Sequence, residues 1–119
     1  MSNITYIDRG DSDAYDKVKT DFTDDNTWRD LDLSAIVGSR KVLTLIHCYL
    51  QSPTIPADFS LRTKGNSNEF NVGRGDVLII NKPVRYEVFI KTDAYGFIQY
   101  KATDEAWTVL SLLVRGWFE

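Results

Sequence analysis

The end of the chain, AWTVLSLLVRGWFE, is apolar on both faces of a strand. Because successive side chains of a strand point to opposite faces, Trp107, Leu113 and Trp117 are predicted to share one face, and Leu112 and Phe118 the other. A strand in a β-sandwich normally buries one face and exposes the other. The pattern therefore predicts that the chain's own core covers one face of this last strand and that a second surface covers the other.

From Thr27 onward, short apolar and alternating runs are separated by turn residues, with no helical periodicity. The run VLTLIHCYL is apolar on both faces, which predicts a central strand, whereas VRYEVFIKT alternates as a half-buried strand does. GRGD and DAYG are predicted to be turns, VLII to be a strand, and Pro83 to mark a strand start or an edge. About eight strands at this spacing predict an all-β fold, an antiparallel β-sandwich of jelly-roll-like form.

Charge divides the chain into two parts. Residues 1–32 carry nine Asp against four Lys or Arg, whereas the whole chain has a net charge of −3. We therefore distinguish an acidic N-terminal arm, residues 1–26, from a β-sandwich domain, residues 27–119. The arm either packs as a strand or wraps a neighbour, and it is the alternative to a second subunit for covering one apolar face. The net negative charge argues against a nucleic-acid partner. The chain has no long apolar run for membrane insertion, and MSNITYIDRGDSD lacks the blocks of an export signal.

The candidate catalytic and metal-binding residues are few. His47 is the only histidine and Cys48 the only cysteine, and neighbours on a strand point to opposite faces, so the two cannot act as a pair. Cys48 is predicted to be a buried, unreactive residue. The spacing of the aspartates does not follow that of a calcium-binding EF-hand loop, which favours a solvated arm over a calcium site. We expect no catalytic residue, no metal and no cofactor.

Two kinds of surface motif can be interpreted either as functional or as purely structural. RGD, the tripeptide that integrins read, occurs at 9–11 and at 74–76, but Gly between charged residues is also ordinary turn chemistry. Exposed aromatic rings can stack on sugars, although core packing is the more common role of such rings. The candidates for sugar stacking are Trp28, Tyr86, Tyr95 and Tyr100.

The stretches WRDLDLSAIVGSRKVLTLI, EVFIKTDAYGFIQYKA and VRGWF together resemble a small β-sandwich module of tailed-phage and other viral structural proteins. In that pattern a W-x-D-x-DLS-x-IVG opening leads to an apolar strand and the end reads G-[YW]-F. The resemblance covers about residues 27–119 and leaves the acidic arm outside. It implies a non-enzymatic virion or fibre module, assembled in the host cytoplasm.

The resemblance and the last strand together favour a homo-oligomer, and the resemblance alone favours a trimer. Other virion proteins are further expected partners, and attachment to a host surface, through a cell-surface glycan, is a further expectation. The alternative is a carbohydrate-binding β-sandwich domain. The residues predicted to form the interface between subunits are Trp107, Leu113, Arg115, Trp117 and Phe118.

Overall fold

A computed structural model describes residues 4–119. It confirms the predicted fold class, because the described chain forms eight strands in two antiparallel sheets. Its helices are a 3₁₀ turn at Lys19–Asp21 and a short α1 at Ser34–Val37, and neither is long and apolar enough to cross a membrane. The strands are β1 Tyr6–Asp8, β2 Arg29–Asp32, β3 Leu43–Gln51, β4 Ala57–Thr63, β5 Gly73–Val77, β6 Val84–Lys91, β7 Phe97–Ala102 and β8 Val109–Phe118.

The chain passes back and forth between the two sheets. One sheet has the order β1-β8-β3-β6 and the other β2-β7-β4-β5. This interleaving is compatible with the jelly-roll form that the sequence predicts. The predicted central strand VLTLIHCYL becomes β3, which pairs with β8 on one side and with β6 on the other.

A β-bulge in β8 explains why this strand is apolar on both sides. Leu112 and Val114 pair with Cys48 and Ile46 and point into the core, but the register shifts at Arg115, so that Trp117 also points inward. An extra residue in one strand of a pair changes which side chains face the core. The prediction that Trp117 and Leu113 share a face was therefore wrong, because a strict alternation does not continue through a bulge.

The segment predicted as an acidic arm lies along the sandwich. Strand β1 pairs with the end of β8, and Lys17 forms an isolated bridge with Leu112 farther along the same edge. Between these two points, the Arg9 guanidinium forms a two-pronged ion pair with Asp16, with distances of 2.6 and 2.7 Å. Phe22 then enters the core between the sheets. Residues of the 1–26 segment thus contribute both a strand and a core side chain.

The GRGD stretch corrects a predicted turn. Gly73 and Gly75 lie within strand β5 and point inward, where the side chains of Val88 and Tyr86 occupy the space that a Cβ would need. The glycines thus allow β5 and β6 to approach closely. The following residues, predicted as a strand, form a loop in which Leu78, Ile79 and Ile80 are exposed.

Candidate functional site

The outer face of the β1-β8-β3-β6 sheet carries an exposed apolar patch. The sheet register places Phe118 beside Tyr6 on one side and Leu43 on the other, and Phe89 lies opposite Leu45. The Phe118 ring centroid lies 5.0 Å from that of Tyr6 and 6.3 Å from that of Phe89. We call this surface the outer patch; its members are Ile4, Tyr6, Leu43, Phe89 and Phe118.

The outer patch is accessible and lies on regular strands. Phe89 is 53% exposed, Tyr6 40% and Leu43 39%. Gly116 is needed for this arrangement, because the Tyr6 ring lies where a side chain at that position would be. An open groove of about 650 Å³ is lined by Ile4, Leu43 and Phe118 of the patch, with Lys41, Lys91 and Glu119 at its border. Large apolar side chains that a folded chain leaves in contact with water commonly mark a site of protein interaction.

The same face becomes polar toward its other end. There His47, Glu87 and Arg115 line a cleft of about 410 Å³ beneath the loop of residues 9–15. Arg115 forms an ion pair with Glu87, and the His47 Nδ1 lies 3.6 Å from a Glu87 carboxylate oxygen. The Tyr15 ring from the loop stacks over His47 at a centroid distance of 6.2 Å. The loop therefore covers this half of the outer face and leaves the outer patch open.

The histidine and cysteine lie on opposite faces of β3, as predicted. Cys48 is fully buried in the core, while His47 faces outward. Desolvation raises the pKa of the Cys48 thiol to about 12, so that the thiol is neutral at physiological pH. A protonated, inaccessible thiol is a poor nucleophile.

Two aspartates of the N-terminal segment are engaged by arginines. Asp16 pairs with Arg9, and Asp25 pairs with Arg29, which lowers the pKa of Asp25 through the hydrogen bond to that guanidinium. Within residues 4–119, no group of three or more His, Cys, Asp or Glu side chains is placed to hold a metal ion.

The predicted interface residues separate into two groups. Trp107 is 1% exposed in the chain's own core, where its indole donates to the Thr103 carbonyl at 3.0 Å, so it cannot contact a neighbouring subunit. Trp117 is 8% exposed and faces inward. Leu113 and Arg115 line the polar cleft, and Phe118 belongs to the outer patch. Three of the five predicted residues thus lie on the outer face.

The four aromatic residues proposed for sugar stacking do not form one platform. Tyr100 is 3% exposed in the core, and the Tyr86 hydroxyl donates to the Phe59 carbonyl at 3.0 Å. The Arg62 guanidinium lies 4.0 Å from the centroid of the Trp28 ring. Tyr95 is 70% exposed at the tip of the β6–β7 connection.

Neither RGD stretch forms a free loop with an available arginine. Arg9 is engaged by Asp16, and its neighbour Gly10 adopts a positive φ of 91°, as a turn residue does. Arg74 lies in β5 and forms ion pairs with Asp58 and Asp76. Residues 9–11 therefore form a turn, as one of the two interpretations predicts, whereas residues 74–76 belong to a strand.

Sequence reasoning missed most of the outer patch. Ile4 and Tyr6 lie in the predicted acidic arm, to which the sequence assigns no fixed position, and Phe89 lies on a strand face that is predicted to be mostly wet. The available signal was Phe89 itself, a large ring among the charged residues Arg85, Glu87 and Lys91 on the outward face of β6.

Comparison of the chain with protein-family models, curated proteins and solved structures finds no match.

Proposed function

We propose that this chain is a non-enzymatic structural module that assembles with further copies of itself through the outer face of the β1-β8-β3-β6 sheet. The observation that carries the proposal is the outer patch, in which Tyr6, Leu43 and Phe89 are each between 39 and 53% exposed. Apolar and aromatic residues on a rigid surface supply the buried centre that protein interfaces need.

The position of the patch supports assembly over a small-molecule role. The patch spans strands β1, β8, β3 and β6 and is broad and open instead of deep. Small-molecule sites are normally concave, with polar groups that converge on the ligand. A broad and open apolar surface with Lys41, Lys91 and Glu119 at its border suits a second protein surface better.

The setting of this assembly is proposed from the resemblance to virion and fibre modules. That resemblance supports a virion as the location, other virion proteins as partners and a role in attachment to a host surface. It also favours three copies. The outer patch supports self-association without fixing the number of copies.

The carbohydrate-binding alternative has less support. Stacking on a sugar needs an open ring face, and the core contains Tyr100 while Arg62 lies over Trp28. Tyr95 alone among the four candidates is more than half exposed. A glycan array on a sample of known mass tests this alternative, and strong binding that Tyr95→Ala abolishes would favour it.

The proposal is tested by sedimentation of the wild type and two leucine variants. Leu43→Ser removes an apolar side chain from the outer patch, and Leu78→Ser makes the same change on an exposed loop outside it. We expect Leu43→Ser to weaken self-association about tenfold or more, the effect of losing about 1.4 kcal/mol or more at an interface. Leu78→Ser should leave it unchanged. A wild type that stays at 13.6 kDa at all accessible concentrations would contradict the proposal.

A further inference from the structure

The outer patch ends at an open sheet edge. Strand β6 is the last strand of the β1-β8-β3-β6 sheet, and it pairs with β3 along one side over residues 84–91. Among the described residues, no strand pairs with its other side. A long edge strand presents unpaired N–H and C=O groups and can serve as a template for another strand.

The alternation of hydrogen-bonded and non-hydrogen-bonded pairs between β3 and β6 identifies which backbone groups of β6 are free. The Thr92 N–H donates to the Val42 carbonyl at 2.9 Å, which fixes this pair as a hydrogen-bonded one. Because hydrogen-bonded and non-hydrogen-bonded pairs alternate along an antiparallel ladder, Ile90 and the other even residues of β6 bond to β3. The odd residues direct their N–H and C=O groups to the open edge; they are Arg85, Glu87, Phe89 and Lys91.

The same odd residues carry the exposed side chains of β6. Arg85, Glu87, Phe89 and Lys91 all point to the outer face, whereas Ile90 is buried. Phe89 belongs to the outer patch. Backbone donors, backbone acceptors, charges and an aromatic ring are therefore presented together along one edge.

We propose that β6 pairs antiparallel with β6 of a second copy, about a two-fold axis at Phe89. In this register Phe89 meets Phe89 of the second copy, and Glu87 meets Lys91 of the second copy. Both are hydrogen-bonded positions, so each pair exchanges two N–H···O bonds. Opposite charges at directly facing positions stabilise a strand pair.

Other registers about a two-fold axis are less favourable. An axis at Glu87 faces two glutamates, and an axis at Lys91 faces two lysines. An axis at Val88 sets Arg85 opposite Lys91 of the second copy. Like charges that face each other destabilise strand pairing.

An axis at Arg85 faces two arginines, and an axis at Val84 sets Arg85 against Pro83 of the second copy. Two further registers fail for related reasons. An axis at Ile90 sets Glu87 against Asp93 of the second copy, which again pairs like charges. An axis at Tyr86 sets Arg85 against Glu87 of the second copy, which is favourable, but it also sets Phe89 against Pro83, and proline has no N–H to donate. The register at Phe89 therefore avoids both like-charge pairs and the proline.

This pairing deepens the proposed function and rests on it. It joins the two sheets into one continuous sheet and brings the two outer patches together across the axis. The contact is isologous, because the same surface is used on both copies, and such contacts close as dimers. The expected mass is twice 13.6 kDa, so this pairing replaces the three copies that the resemblance favours with two.

A charge-swap series tests the register. Lys91→Glu sets Glu against Glu87 of the second copy, and Glu87→Lys sets Lys against Lys91; each should raise the dimer dissociation constant about tenfold or more. The double variant restores opposite charges and should return the constant to within about threefold of the wild type. The control is Lys82→Glu, the same charge change in the loop before β6, which should have no effect.

Amide hydrogen exchange followed by NMR gives a second readout. We expect the N–H groups of Glu87, Phe89 and Lys91 to become protected as the protein concentration rises. Association that Leu43→Ser weakens, but that the charge series leaves unchanged, would overturn the register and leave the proposed function standing. A wild type that is monomeric at every concentration would overturn both.

Discussion

Phe22 provides a test of whether the N-terminal segment belongs to the folded core. Its ring packs edge-on against Tyr100 and Phe59, with centroid distances of 4.9 and 5.2 Å. The next residue adds a polar contact, because the Thr23 N–H donates to the Tyr100 hydroxyl at 2.8 Å. The substitution Phe22→Ala therefore removes an aromatic cluster at the point where the segment enters the sandwich.

The expected loss of stability is large. Replacement of a core phenylalanine by alanine costs about 3–5 kcal/mol. Phe22 retains 8% exposure at the border of the core, so we expect the lower end, about 3 kcal/mol. For a chain of this size, each kcal/mol lowers Tm by about 4 °C, so Tm should fall by about 12 °C.

Phe70→Ala is the matched control for this change. Phe70 is 98% exposed, so the same substitution there should change the free energy of unfolding by less than about 0.5 kcal/mol. Urea unfolding followed by circular dichroism measures both variants, with an unchanged m-value showing that the two-state comparison is valid. If Phe22→Ala proves as stable as Phe70→Ala, the segment does not contribute to the core and the reasoning is refuted.

Four further predictions concern the core and metal binding. Burial raises the pKa of Cys48 from 9.0 to about 12, so a thiol reagent at pH 8 should label it only after unfolding. The same shift should make the free energy of unfolding fall as the pH rises from about 9 to about 12, because the unfolded thiol ionises first, and Cys48→Ala should lessen that fall. Gly73→Ala should destabilise the fold by about 1–3 kcal/mol because its methyl group would overlap Val88, and Val88→Ala should recover part of that loss in a double-mutant cycle. EDTA and added calcium should leave Tm unchanged, whereas a calcium ion bound only to the folded state would make melting depend on the chelator.

Strand β3 could be predicted from the sequence because its residue pattern agrees with its central position in the sheet. Its apolar residues occupy both faces, and the strand lies between two others with Cys48 and Ile46 buried. Strand β8 has a similar composition, but its faces could not be assigned. The bulge at Arg115 adds one residue to β8, so that the side chains after it switch faces. An assignment made by counting every second residue assumes a strand without such an extra residue.

The glycine-rich stretch at 73–76 was misread for a related reason. Glycine is common in turns, but it also serves where two backbones or a backbone and a ring must approach closely. Gly75 faces the Tyr86 ring, a contact between residues of opposite sheets that only the tertiary structure shows. The outer patch was missed in the same way, because Tyr6 and Phe118 become neighbours only when the N-terminal segment pairs with β8.

The chain itself covers only part of the outer face of β3, and the uncovered part belongs to the surface proposed for assembly. At one end of this face Tyr15 covers His47 and Tyr49, with ring centroids 6.2 Å apart in both pairs. At the other end Leu43 remains 39% exposed beside Phe118, since the N-terminal segment crosses the sheet elsewhere. The chain therefore covers half of the apolar face that its own sequence creates. A second copy paired along β6 would place its own outer patch beside this one on the same face of the joined sheet. Burial of that face against a further surface would release apolar area from water, which favours association.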